Sequence, residues 1–144
     1  MQEYLIEADL ITAYFNRADK IHKTSYTIFK HCLDGRYKIG ILQSALLEYE
    51  LALKAKGVGE DTIKADLEDI ATKIKASHGL IYLVPLTILQ QIKAIEIRKK
   101  YGFSYFDSLH AAAAIINNTT LITVDTDLLK NKEIPTKHPN EIIS

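Results

Sequence analysis

Leu121-Ile-Thr-Val-Asp-Thr-Asp127 is the stretch on which the reading of this chain turns. A short run of Leu, Ile, Thr and Val has the makeup of a buried strand. Asp125 and Asp127 follow it at once. In an open parallel sheet, ligands gather outside the carboxyl ends of the strands, which is where these two acids fall. The same figure stands at the other end of the chain, where Tyr4–Ile6 runs into Glu7 and Asp9. Two more runs of strand length lie at Lys38–Leu42 and Leu80–Val84. The spacing predicts helices at 10–16, 19–34, 43–56, 60–76, 86–100 and 105–117, with Pro85 expected in the first turn of the fifth. In the fourth, Ile63, Leu67, Ile70 and Ile74 form one apolar stripe at spacings of three and four. Strands alternating with helices predict an α/β fold with a central, largely parallel sheet flanked by helices. No linker or repeat divides the chain, so residues 1–144 are read as a single domain.

Composition narrows the class. A chain of 144 residues buries enough surface to need no cross-links. Its one cysteine, Cys32, offers no internal disulfide and suits a reducing compartment. No apolar run is long enough to span a membrane, and the acidic start MQEYLIEADL is unlike a signal peptide, so a cytoplasmic protein with no membrane role is expected. Lys and Arg number 18, as do Asp and Glu. That balance excludes a simple basic nucleic-acid binder.

The acids therefore carry the functional question. Taken singly, each has an ordinary explanation: Asp9 as a helix N-cap, Asp127 in a turn. Two such pairs at one sheet edge point instead to a site. In helix 43–56, Ser44, Glu48, Ala52 and Ala55 share a narrow strip of small residues. Glu50 falls on another strip and pairs in sequence with Lys54 at i, i+4. Glu48 on a close-packed strip needs a partner, either an arginine or a cation shared with other acids. Asp107 closes Ser104-Tyr-Phe-Asp107, which has the spacing of a capping box with Ser104 as N-cap. Ala111 and Ala114 share its face and permit close packing. Carboxylates without a cysteine or histidine cluster suit a hard cation, Mg²⁺ or Mn²⁺, and hence phosphoryl chemistry. His22, His31, His78, His110 and His138 lack ligand spacing, and His110 alone falls near these acids, where a helix-packing or surface role is expected.

The segments LIEADLITAYFN (5–16), SALLEYELALKAKG (44–57), YFDSLHAAAAI (105–115) and LITVDTDLL (121–129) resemble, in order and spacing, the four signature blocks of PIN-domain nucleases, most closely the VapC-type toxin ribonucleases and their archaeal relatives. The resemblance implies a PIN-like three-layer sandwich and hydrolysis of RNA phosphodiesters by a metal-activated water. The family's catalytic acids fall on Glu7, Glu48, Asp107 and Asp125, with Asp9 and Asp127 as accessory metal groups. Thr123 matches the hydroxyl residue usual before the last acid, whereas Glu7 stands where an Asp is usual. The resemblance also implies a homodimer and a small antitoxin protein as partner.

With the six site acids set aside, the rest of the chain carries a net +6. An acidic pocket on a basic shell suits a polyanionic substrate. Lys54, Lys56, Arg98, Lys99 and Lys100 are the candidate phosphate contacts. A haloacid-dehalogenase-like phosphatase is excluded, because too little chain follows Asp125. A phosphoacceptor domain is excluded as well, since no Asp closes Tyr82-Leu-Val-Pro85. The alternative that stays open is a PIN-like protein that binds RNA or a partner with little or no cleavage.

Overall fold

The computed structural model describes residues 1–144 and is built on five parallel strands. In chain order the elements are β1 (Glu3–Ile6), α1 (Ala8–Phe15), α2 (His22–Leu33), β2 (Lys38–Leu42), α3 (Gln43–Ala55), α4 (Glu60–Ala76), β3 (Ile81–Val84), α5 (Ile88–Tyr101), α6 (Tyr105–Ile116), β4 (Thr120–Ile122), α7 (Thr126–Lys130) and β5 (Thr136–Lys137), with a 3-10 turn at Pro139–Glu141. The strand order is β3-β2-β1-β4-β5. From β1 the chain steps outward to β2 and β3, then returns to the other side of β1 for β4 and β5. The topological switch therefore lies between β1 and β4, where a crevice opens at the carboxyl edge. Register fixes its mouth: Ile6 faces Ile41 on one side and Ile122 on the other.

The strands are apolar because both faces of the sheet are covered by helices, which is what an all-parallel sheet requires. Leu5, Ile6, Ile39, Ile41, Leu42, Ile81, Leu121 and Ile122 are almost wholly buried. Ile63 and Ile70 of the α4 stripe are buried as well, and Leu67 and Ile74 half-buried. The expected α/β sandwich is what the chain forms.

Several local expectations are corrected. Helix α1 starts at Ala8, directly after β1, so Asp9 is the second residue of the helix and not its cap. Pro85 lies outside α5, whose N-cap is Thr87, with its hydroxyl accepting from Gln90 N. Strand β4 ends at Ile122, and Thr123 leaves it with its N–H still bonded to Lys137 O at 3.1 Å. Asp127 lies in the short helix α7 and not in a turn. Along α3, Ala52 and Ala55 are exposed, so only the Ser44 end of the expected strip is close-packed. Lys54 reaches Glu60 of α4 at 2.9 Å, and no ion pair joins it to Glu50. Glu50 is half-buried and lines a groove with Leu46, Leu67 and Leu83.

Gly40 in the middle of β2 marks the tightest approach in the sheet. A Cβ there would lie 2.8 Å from Leu5 Cδ2, 2.9 Å from Val84 Cγ2 and 3.0 Å from Tyr82 Cε2. Gly40→Ala should therefore cost about 1–3 kcal/mol of stability, the usual toll of overpacking, despite the better strand propensity of alanine. Urea denaturation measures it; an unchanged midpoint would show that the three side chains yield freely.

Candidate active site

Glu7 is the first residue beyond β1. It occupies the N-cap position of α1 with extended backbone but makes no side-chain cap bond. It is 3% exposed, and its Oε1 has no hydrogen-bond partner. A buried carboxylate with an unpartnered oxygen is costly as an anion, and only the Asp9 backbone N–H offsets that cost. Burial, then the charges of Asp9, Glu48 and Asp107, push its pKa well above the usual carboxylate range. Asp9 is raised too, by desolvation first and then by Glu48, Asp107 and Asp125, with His110 pulling the other way. Burial also raises Asp107; Ser104 and His110 oppose this, and Asp125 and Glu48 add to it. These mutual influences place Glu7, Asp9, Glu48, Asp107 and Asp125 within one electrostatic neighbourhood, although they come from four separate stretches of chain.

Local structure positions each acid. Gly102 caps α5 in the left-handed region at φ 73°, so α6 begins only three residues later. Ser104 caps α6, its Oγ accepting from Asp107 N at 3.3 Å. Asp107 is thus held in the first turn of α6, where the helix dipole favours a carboxylate. Asp125 is the N-cap of α7: its Oδ1 accepts from Leu128 N at 2.9 Å, and its own N–H donates to Thr123 Oγ1 at 3.0 Å. One carboxylate oxygen of Asp125 is therefore already engaged, leaving the other for the cleft. Asp127 is exposed in the first turn of α7. A cleft of about 650 Å³ is lined by Asp107, Asp125 and Asp127 together with Phe103, Ser104 and Lys130.

The side-chain partner of Glu48 is a histidine and not an arginine, one of its two expected partners. His110 Nε2 lies 2.8 Å from Glu48 Oε1, and His110 Nδ1 lies 3.0 Å from Ser44 Oγ. His110 and Ser44 are wholly buried. The sequence offers His110 a helix-packing or a surface role; its burial overturns the second, and neither includes this bond. The signal was present in spacing: Ser44 and Glu48 stand one turn apart on α3, and Asp107 and His110 three residues apart on α6. Packing α3 on α6 brings both pairs together. Ala111 and Ala114, both fully buried, permit that approach.

The cations sort differently from expectation. Arg98 is tied down, its Nη1 donating to Ser108 Oγ at 2.7 Å and its guanidinium lying 5.0 Å from the centre of the Tyr105 ring. Lys100 pairs with Glu133 at 3.1 Å and Lys54 with Glu60. Lys56 and Lys99 remain exposed and unpaired, and Lys130, which lines the cleft, was not among the candidates.

No three acid or histidine side chains stand close enough to hold an ion among themselves. The cleft is acid-lined space without a preformed cage. The donors gathered around it nonetheless fit a hard divalent cation: they are carboxylates, and Glu7 keeps one buried oxygen without a partner. Glu7, Asp9 and Asp107 are raised by burial first and by neighbouring charges second, although Glu7, Asp9 and Glu48 stand behind the cleft wall and do not line it. A parallel α/β sheet with acids crowded at its switch point has its ligand site at that edge.

The family is specific. The PIN domain model matches residues 4–134, and the chain belongs to the PIN domain family. No curated protein sequence matches it. Among solved structures, the VapBC2 complex of Rickettsia felis bound to a promoter DNA fragment is similar at 13% identity, with 95% of this chain and 98% of that chain covered and a TM-score of 0.67. PAE2754 of Pyrobaculum aerophilum is similar at 18% identity, with 99% and 93% covered and a TM-score of 0.60. VapC20 of Mycobacterium tuberculosis, a toxin that cleaves the sarcin-ricin loop, is similar at 14% identity, with 86% and 91% covered and a TM-score of 0.63. At these identities the likeness is one of fold.

Two measurements test the reading of the cleft. Acids with raised native pKa values hold protons that the unfolded chain, titrating near pH ~4, has released. Stability should then fall as pH rises from about 4 through the raised values, and level off above them. His31, whose pKa burial lowers, acts oppositely below its ordinary value, so the informative quantity is a difference. In metal-free melts between pH 5 and pH 8, Glu7→Gln should show a shallower decline than wild type. Parallel curves would mean that Glu7 is not a strained acid. The second concerns Asp125. Asn caps a helix as well as Asp, so Asp125→Asn should match the metal-free wild type in urea denaturation, whereas Asp125→Ala should lose about 1 kcal/mol.

Proposed function

We propose that the protein is a Mg²⁺- or Mn²⁺-dependent endoribonuclease of the cytoplasm, the toxin of a toxin–antitoxin pair. The observation that carries this reading is the crowding of like-charged acids at the switch point, with one buried oxygen of the Glu7 carboxylate left without a partner. Such a cluster is stable with its charge balanced, and a divalent cation balances it. Glu7, Asp107 and Asp125 would hold the ion directly, with Glu48 as a ligand or outer contact and Asp9 and Asp127 further out. Bound there, the cation supplies the positive charge that activates water and stabilises a phosphate in displacement.

The residues of the chain do the rest. Thr123 and the α7 N-terminus aim Asp125; Ser104 aims Asp107. Lys130 offers a mobile cation at the cleft for the RNA backbone, and exposed Lys56 and Lys99 add to the attraction. No side chain serves as covalent nucleophile. Ser44, the hydroxyl against His110, is buried beyond reach of any substrate.

Partners follow from fold likeness and surface. Structures of similar fold are solved as toxin–antitoxin complexes, which supports an antitoxin for this chain. Helix α5 exposes Ile88, Leu89, Ile92 and Ile95 on the surface, an apolar stripe that suits a homodimer.

A ribonuclease assay tests the main reading. Wild type should cut RNA with Mg²⁺ or Mn²⁺ and not with EDTA. Asp107→Asn and Glu48→Gln should each lose nearly all of that activity, and Glu50→Gln should keep it. RNA bound but uncut by wild type with either metal would favour a binding protein instead. For the dimer, Ile92→Glu should shift the mass in solution from two chains to one by light scattering.

A further inference from the structure

Ser44, His110 and Glu48 form a closed hydrogen-bond chain between α3 and α6, and the proposed chemistry leaves His110 without a task. The imidazole is wholly buried, with the Phe106 ring stacked 6.3 Å away at 27°. A carboxylate oxygen only accepts, so Nε2 must carry the hydrogen that meets Glu48 Oε1. Nδ1 meets the Ser44 hydroxyl, which can donate to it or accept from it, so both ring nitrogens are satisfied. This is the arrangement of a group that holds another in place. A free glutamate loses rotamer entropy when an ion captures it. Here that freedom is already reduced: Oε1 is committed to His110, and Oε2 is left without a protein partner on a side chain still 32% exposed.

We propose that His110 is a positioning residue that fixes Glu48 for the cation of the cleft. The proposal rests on the metal-dependent reading above and assigns a role to a residue that touches neither ion nor RNA. It resembles the outer contacts of metal sites in general, whose loss costs about 10–100-fold in affinity.

The two ring nitrogens allow a clean test. The amide nitrogen of glutamine reaches where Nε2 lies, and that of asparagine where Nδ1 lies. His110→Gln therefore keeps the donor to Glu48, while His110→Asn keeps only the contact with Ser44. His110→Phe keeps ring volume and loses both. Mn²⁺ binding is measured by calorimetry on the full chain, with a melting temperature for each variant. His110→Asn and His110→Phe should weaken Mn²⁺ about 10-fold or more, and His110→Gln should stay within about 3-fold of wild type. In cleavage, kcat should follow the same order with KM for RNA nearly unchanged. Should His110→Asn fail to fold, His110→Phe makes the same comparison. Wild-type affinity in His110→Asn or His110→Phe, or equal losses in the Gln and Asn variants, would overturn the positioning role alone. Absence of Mn²⁺ binding by wild type would overturn the metal reading, and this proposal with it.

Discussion

Everything at the carboxyl edge depends on the parallel pairing of β1 with β4. Glu7 and Asp125 are distant in sequence, and nothing local draws them together. The register Ile6 to Ile122 does so, because each acid follows its strand within a few residues. The juxtaposition is opposed by electrostatics, and magnitudes show why it survives. One pKa unit of mutual repulsion is worth about 1.4 kcal/mol. Each fully buried Leu or Ile contributes about 1.5–3 kcal/mol, and Leu5, Ile6, Leu121 and Ile122 are all at 0–1% exposure. The apolar sheet forces together charges that would otherwise separate, and α6 adds Asp107 to them through its cap.

Much of this was readable in the chain. The strands announced themselves as Ile- and Leu-rich runs, and Glu7 and Asp125 by standing just past two of them. What escaped was decided by contacts between elements. Asp9 has the propensity of an N-cap, but β1 passes into α1 with no linker, so the helix had already begun. Lys54 had a helix neighbour in Glu50, yet the start of α4 placed Glu60 nearer. Strand β5, two residues long, is too short for any periodicity, and only the carbonyls of Pro135 and Lys137 beside β4 reveal it. For His110 the spacing of Ser44 with Glu48 and of Asp107 with His110 is only half a signal, since its partners lie more than sixty residues away and the packing of α3 on α6 decides the contact.

Several side chains carry two duties at once. Ser104 ends one turn and fixes Asp107; Asp125 starts a helix and faces the cleft; Arg98 staples α5 to α6 through Ser108 while covering the Tyr105 ring. This economy explains why charge counting in the sequence overstates the free basic surface. Three of the five expected phosphate contacts are held by other groups, and Lys130 takes their place at the cleft.

The margins of the sheet have their own consequence. One outer strand is two residues long, and the other, β3, ends at Val84 against a proline. An unpaired strand edge is an invitation to runaway pairing between molecules, and short edges closed by proline withdraw it. Growth by adding strands is thereby blocked at both ends. In general, contacts between helix faces close into small symmetric assemblies where a sheet edge would extend into a fibre.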